Sequence, residues 1–177
     1  MNLTLRKPVA EDGSSIHELV RLCSPLDENS VYCNLLQASY FSESAVVAEA
    51  DGKIIGFITG FISPKDPEVL FVWQVAVSPA ARGLGLGLRM LEQLSARMQK
   101  QGVRFVETTI TDDNGASWAL FRRFAAQHEA ALEHAPHYLR VTHFRGHHET
   151  ENLLRIGPLV AQAQSSLNQD ENEKAPA

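Results

Sequence analysis

The sequence predicts an α/β domain with a mixed central sheet flanked by helices. Three observations carry that expectation. The run from Val69 to Val77 is nearly continuous in apolar residues, as in a central strand covered on both faces. A glycine-spaced loop and an amphipathic helix follow it at once. Asp51-Gly52 lies between two apolar runs, which is a strong hairpin signal.

In chain order, Leu3 to Lys7 reads as the first strand, closed by Pro8. Asp12 is a candidate cap for a helix on which Ile16, Leu19, Val20 and Cys23 follow helical spacing. Ser24-Pro25-Leu26-Asp27-Glu28 breaks that helix. Asn29 or Ser30 caps a second, shorter one that carries Tyr32 and Tyr40, with Val31, Leu35 and Leu36 expected inward. Ala45 to Ala50 and Lys53 to Phe61 form the hairpin, and Ser63 to Glu68, with two prolines, is a loop. Gln74 is the one polar interruption of the central strand. From Gly85 to Gln101 the chain reads as helix, with Leu84, Leu88, Leu91, Leu94 and Met98 as one apolar stripe and Gly102 as the stop. Phe105 to Thr111 is a further strand, Asn114 caps a helix to about Phe124, and His137 to Phe144 is expected as a strand. The expected domain spans residues 1–158. Residues 159–177 are assigned to a disordered tail, since from Ala161 onward Gln, Ser, Asn and charge leave little to bury.

The stretch VAVSPAARGLGLGL, Val75 to Leu88, contains Arg82, Gly85 and Gly87 in the order R-x-x-G-x-G. Glycines let a backbone approach a ligand where a Cβ would collide. The first turn of a helix offers amides without internal partners at the positive end of its dipole. Together they form a socket for a phosphate or pyrophosphate. A plain glycine-rich turn and a dinucleotide-binding loop are the competing readings. Asp112, at the end of the next strand, would suit a ribose-binding acid. Against the dinucleotide reading, Ser78-Pro79-Ala80-Ala81-Arg82 separates Val77 from the first glycine, and Leu88 holds the place of the last. A P-loop is excluded because no Gly-Lys-Ser/Thr follows.

A chain of 177 residues suits one domain with a substantial core. A net charge of −5 argues against a nucleic-acid partner, which needs a basic face. Cys23 and Cys33 lack metal-type spacing and read as reduced thiols of a cytoplasmic protein. No leader and no bilayer-length apolar run is seen, so no membrane partner is expected.

The order of strand, two helices, hairpin, central strand, R-x-x-G-x-G on a helix, strand and Asn-capped helix resembles the GNAT acetyltransferases over roughly residues 1–145. That resemblance implies the GNAT fold and acetyl-CoA as donor. It implies that the backbone of Val75 and Val77 holds the pantetheine arm. The pyrophosphate would lie on the stretch from Arg82 through the amides of Gly83, Leu84, Gly85, Leu86 and Gly87 to Leu88. Asn114 and Ser117 would lie near the far end of the coenzyme.

Three stretches narrow the match: LDENSVYCNLL (Leu26 to Leu36), LFVWQVAV (Leu70 to Val77) and TTITDDNGAS (Thr108 to Ser117). They look like the L-2,4-diaminobutyrate acetyltransferases of ectoine biosynthesis. GHHETENLLRI, Gly146 to Ile156, is similar to that family's C-terminal segment; Ser39-Tyr40-Phe41 departs from the pattern just before the Phe. The resemblance implies acetyl transfer to the γ-amine (N4) of the diamino acid, giving the precursor of a compatible solute that a separate synthase cyclises.

Such a substrate carries two ammonium groups and one carboxylate. The attacking amine must be neutral, so a base or water path must take its proton. A strand amide near Val75 suits the charge developing on the thioester oxygen. Many members of the superfamily place an acidic tyrosine on the last helix, but Phe121 stands there and cannot donate. Nor does the central strand carry a carboxylate, its polar residue being Gln74. On the residues alone, Asp27 is a turn or capping acid, Tyr32 a half-buried aromatic, Trp73 core and Glu151 a solvated acid. The resemblance instead makes Asp27 and Glu151 ammonium partners. It makes Tyr32 a pocket wall or hydroxyl donor, and sets Trp73 beside the acetyl group or stacked on a cation. His148 is the expected proton acceptor and, with Asp27, makes up the expected catalytic set. The run His147-His148-Glu149 has no H-E-x-x-H spacing, so no metal is expected. Arg140, Arg145 or a backbone amide are open as partners for the substrate carboxylate. A Glu151 borne beyond the core fold would reach a neighbouring pocket in a homodimer. Two alternatives stand beside this reading: the same fold acting on another small diamine or diamino acid, and a non-catalytic acetyl-CoA sensor.

Overall fold

The computed structural model describes residues 3–24 and 26–160. Within them run β1 (Leu3–Arg6), α1 (Gly13–Arg21), α2 (Val31–Ser39), β2 (Ala45–Ala50), β3 (Lys53–Ile62) and β4 (Val69–Val77). They are followed by α3 (Leu86–Gln99), β5 (Phe105–Thr111), α4 (Gly115–Gln127), β6 (Leu132–Tyr138) and β7 (Glu151–Ile156). The strands form one sheet in the order β1-β2-β3-β4-β5-β7-β6. Only β4 and β5 are parallel; the other neighbours are antiparallel. The expected α/β architecture with a mixed sheet is therefore present.

The hairpin turn behaves as its residues require. Asp51 and Gly52 both have positive φ, 49° and 77°, and Ala50 pairs with Lys53. That is the demand of a two-residue turn whose twist matches the strands. On one face of the sheet, Met90, Leu91, Leu94 and Met98 of α3 and Phe121 and Phe124 of α4 cover Val46, Ile58, Leu70, Val106 and Leu154. On the other face, Ile16, Leu19, Val20 and Ala38 from α1 and α2 cover Ala45, Val47, Phe57 and Ala76. Successive residues of β2 join opposite cores, which is why the strand has no polar face. Phe121 and Phe124 are essentially inaccessible; burying each stabilises the fold by about 1.5–3 kcal/mol and fixes α4 against the sheet.

Five local expectations need correction. Asp12 precedes α1 but does not cap it: its carboxylate takes the Arg6 guanidinium at 2.6 Å and the Val9 amide at 2.8 Å. The inward side of α2 is Asn34, Gln37 and Ala38, while Val31 is exposed and Leu35 and Leu36 are half-buried. A polar chain explains this, since His17 Nδ1 meets Asn34 Oδ1 at 3.1 Å and Asn34 Nδ2 donates to Gln37 Oε1 at 2.9 Å. Leu84 is 71% exposed and lies before α3, so the apolar stripe begins at Leu86 and Leu88. The strand expected from His137 to Phe144 lies earlier, at Leu132–Tyr138; the chain then turns back on itself, with His143 N bonded to Leu139 O and Arg145 and Gly146 at positive φ. The core also continues past the expected boundary, because Leu159 is buried and its amide donates to Arg104 O at 2.7 Å. The tail expected from Ala161 lies outside the described residues.

A β-carbon on Gly60 of β3 would fall 2.4 Å from the main-chain oxygen of Phe71 on β4. Gly60→Ala is therefore expected to destabilise the protein by about 1–3 kcal/mol. Gly115→Ala, where an added β-carbon meets nothing, should stay within about 0.5 kcal/mol of the parent. Urea unfolding midpoints check both.

Candidate active site

β4 and β5 pair over three residues each, Val69–Phe71 with Phe105–Glu107, and then part. The parting starts where β4 takes in an extra residue. Gly60 pairs with Val72 and Thr59 with Gln74, so Trp73 has no partner on β3 and forms a bulge. Bulges bend a strand and increase its twist. Beyond Phe71, the edge of β4 that faces β5 has no strand partner among the described residues. Between the separated strands lies a cavity of about 790 Å³, lined by Val72–Val75 on one wall and Thr108–Thr111 on the other.

The glycine loop opens at the end of the same strand. A 3-10 turn, Pro79–Ala81, follows Val77; Gly83 and Gly85 then have φ of +76° and +71°. A β-carbon at either would meet nothing, so their glycine character serves the left-handed backbone itself. Arg89 N to Gly85 O, at 3.1 Å, is the first helical hydrogen bond reaching back to Gly85, and Gly85 contributes no side-chain cap. The amides of Leu86, Gly87 and Leu88 thus precede the helical ladder at the positive end of α3. Arg82 is exposed, and its Nε donates to Val77 O at 3.3 Å, bracing the loop on the strand. Leu84 and its glycine neighbours lie beyond the cavity lining, as do Arg82 and Val77. Gly87 lies against Leu120 of α4 and Val77. Val75, Asn114 and Ser117 do line the cavity, and Asn114 Oδ1 accepts from Ser117 N at 3.1 Å, capping α4 as expected.

Asp27, Trp73, His148 and Glu151 come together around this one cavity. Tyr32 does not: it is 69% exposed on α2 and lines neither this cavity nor its neighbour. Trp73 is 45% exposed, the reverse of a core residue, because the bulge turns it outward. Glu151 and Asp27 meet within a single chain, so Glu151 need not reach a neighbour to share a site with Asp27. The adjoining cavity, of about 650 Å³, shares Asp27, Thr109, His148 and Glu151 and extends under Tyr138, His143 and Phe144.

Glu151 is the most perturbed acid of the site. Burial pushes its carboxyl above the usual range, Asp27 and Asp113 push it further, and a Thr109 hydrogen bond and His148 pull it down. Its Oε2 is buried with no hydrogen-bond partner among the described residues. Its Oε1 lies 3.8 Å from His148 Nε2. His148 Nδ1 is 2.8 Å from the carbonyl of Glu149. A carbonyl only accepts, so Nδ1 is the donor of that contact and Nε2 is the ring nitrogen that faces Glu151. Arg140 lines the cavity but is ion-paired with Glu149, and Arg145 does not line it. Among the described residues, no group of three His, Cys, Asp or Glu side chains is arranged to hold a metal.

Two contacts at the cavity have little signal in the sequence. One is the Thr109 bond to Glu151, for which the alternation of β5 was the available signal. The other is the reach of Gln74 to the Asp27 loop, with Nε2 donating to Asp27 O at 3.1 Å. No local pattern announces it.

Comparisons with known proteins agree with this geometry. The model of the acetyltransferase (GNAT) family matches residues 14–126. The L-2,4-diaminobutyric acid acetyltransferase of Methylotuvimicrobium alcaliphilum is 47% identical over 159 residues, which cover 90% of this chain and 92% of that one. The enzyme of the same name from Halomonas elongata is 46% identical over 157 residues, covering 88% and 81%. Among solved structures, diaminobutyrate acetyltransferase EctA from Paenibacillus lautus, in complex with its substrate L-2,4-diaminobutyric acid and coenzyme A, superposes with a TM-score of 0.85. It is 40% identical, and the match covers 90% of this chain and 96% of that one. With a GNAT sheet parted at β4 and β5, and relatives this similar along nearly its whole described length, the chain belongs to the GNAT acetyltransferases and, within them, to the L-2,4-diaminobutyrate acetyltransferase family.

Proposed function

We propose that this protein transfers an acetyl group from acetyl-CoA to the γ-amine (N4) of L-2,4-diaminobutyrate, a step in ectoine biosynthesis. The observation that carries the reading is the pairing of Asp27 and Glu151 in one cavity whose one arginine is already engaged by Glu149. These two carboxylates, with Asp113 also on the lining, make a partly enclosed acidic space that attracts a dication and disfavours a neutral or anionic amine.

When bound, acetyl-CoA supplies an acetyl carbon activated as a thioester. The free amides of Leu86, Gly87 and Leu88, with the helix dipole behind them, suit a diphosphate. The unpaired edge of β4 near Val75 offers main-chain groups to the pantetheine arm and to charge developing on the acyl oxygen. Asp27 and Glu151 hold the two ammonium groups. Nε2 of His148 accepts the proton that the attacking amine must lose, and the neighbouring Glu151 stabilises the imidazolium so formed. Phe121 is buried at the cavity and has no proton to give. Solvent therefore protonates the departing thiolate.

The working unit we propose is a homodimer in the cytoplasm. In support, β6 lies at the sheet edge with Glu133–Tyr138 exposed, and Leu139 and Val141 extend that surface. Cys23 and Cys33 are unbridged, and among the described residues no helix is long and apolar enough to cross a membrane. Light scattering on the purified protein is expected to give twice the chain mass; a monomer at micromolar concentration would contradict the dimer.

Thiol release from acetyl-CoA with diaminobutyrate, ornithine, lysine, putrescine and a peptide tests the substrate. Diaminobutyrate should lead in kcat/KM by about tenfold or more, the discrimination one methylene supports. Preference for ornithine or putrescine would overturn the assignment, and coenzyme binding without turnover on any amine would favour the sensor.

Glu151 makes a pH prediction. Its pKa is raised in the folded state, so folding favours the protonated form, and that contribution is lost as pH rises from the ordinary glutamate range through the raised value. Without substrate, the Tm of Glu151→Gln relative to the parent should increase across that window and level off above it. Adding diaminobutyrate should raise the parent's Tm and leave the variant's nearly unchanged. A Tm difference independent of pH would contradict the assigned titration.

A further inference from the structure

Gln74 takes no part in the chemistry proposed above, yet it is 8% exposed and hydrogen-bonded at both ends of its amide. Its orientation follows from the bulge. Before Trp73, Leu70 and Val72 belong to the core under α3 and α4; after it, Val75 and Val77 pack on that side, while Ala76 joins the core under α1. One inserted residue shifts the alternation of the strand by one position. Gln74 is thereby turned to the side of the sheet on which α1 and α2 lie and on which residues 26–30 pass between them.

Both ends of its amide are used there. Nε2 donates to the main-chain oxygen of Asp27 at 3.1 Å, and Oε1 accepts from Nδ2 of Asn29 at 3.3 Å. The segment's other ties lie at its ends or out in solvent. Leu26 N bonds to Cys23 O at 3.0 Å, Ser30 caps α2, and Glu28 meets Arg21 at 3.7 Å on the surface. Among the described residues, the hydrogen bonds from Gln74 to Asp27 and Asn29 thus join the middle of the segment to the strand bordering the cavity.

We propose that Gln74 is a positioning residue for substrate recognition: its amide pins the Asp27–Asn29 backbone to β4 and so holds the Asp27 carboxylate at the cavity shared with Glu151. This rests on the reading of Asp27 as an ammonium partner. An amide is required because one contact needs a donor and the other an acceptor. A glutamate keeps the shape but sets an acceptor against the Asp27 carbonyl and adds charge beside Asp27, and a leucine supplies neither contact.

The test uses thiol-release kinetics at saturating acetyl-CoA, with coenzyme affinity measured by calorimetry. Gln74→Leu and Gln74→Glu are expected to raise KM for diaminobutyrate about tenfold, with coenzyme affinity within about twofold of the parent. Asn29→Ala, a milder change in case the buried variants fold poorly, should raise KM about threefold. In an Asp27→Ala background, Gln74→Leu should change KM by less than about twofold, because the tether then positions nothing. Equal effects in both backgrounds would reduce Gln74 to a general structural role and overturn the inference. A raised KM in Asp27→Ala beside a parental KM in Gln74→Leu would overturn it while leaving the reading of Asp27 intact. A parental KM in Asp27→Ala would sink both.

Discussion

The parting of β4 from β5 is the feature on which the rest of the site depends. Three residues of parallel pairing hold the two halves of the sheet together, and beyond them the strands diverge around a cavity. A sheet ordinarily satisfies its main-chain donors and acceptors by pairing. Here the pairing ends inside the fold, and the free edge is what a ligand with amide groups can complete. The divergence begins with the residue inserted at Trp73, opposite Gly60. Gly60 is required there because Phe71 O approaches it too closely for any side chain.

The same insertion organises the substrate side. It exposes Trp73 at the cavity and turns Gln74 toward the Asp27 segment. β7 brings Glu151 to the same space from the other wall, with the 139–150 connection delivering His148 beside it. That connection is tied to itself by the Arg140–Glu149 ion pair, by Arg140 N to Thr150 Oγ1 at 3.1 Å and by Leu139 N to His143 Nδ1 at 2.8 Å. With Arg140 and Glu149 paired to each other, Asp27, Asp113 and Glu151 are the other carboxylates that line the cavity. Burial makes the charge on Glu151 costly.

Most of the elements were legible because their signals are local. The Asp51-Gly52 turn needs two left-handed residues, and both adopt that backbone. The Asn114 cap is a contact three residues long, and Gly102, at φ +95°, ends the α3 connection as anticipated. The errors have other causes. Asp12 has the residue type and place of a helix cap, but Arg6, at the end of β1, takes its carboxylate. The inward face of α2 is polar because His17 of α1 supplies its partner. β7 was unrecognised as a strand because Glu151, Asn152 and Arg155 dilute its apolar signal, though Asn152, Leu154 and Ile156 alternate into the interior. In the first two cases a partner from another element outweighed the local pattern.

By itself the sequence determined the elements up to α4, the Asp51-Gly52 turn, the Asn114 cap and the glycine loop before α3, because these rest on contacts within a few residues along the chain. The tertiary structure alone decided that Asp27, Trp73, His148 and Glu151 share a cavity, that Tyr32 stands apart from it, and that Gln74 faces the Asp27 segment. Those outcomes follow from where two strands separate and from a one-residue shift in side-chain alternation, neither of which spacing along the chain encodes.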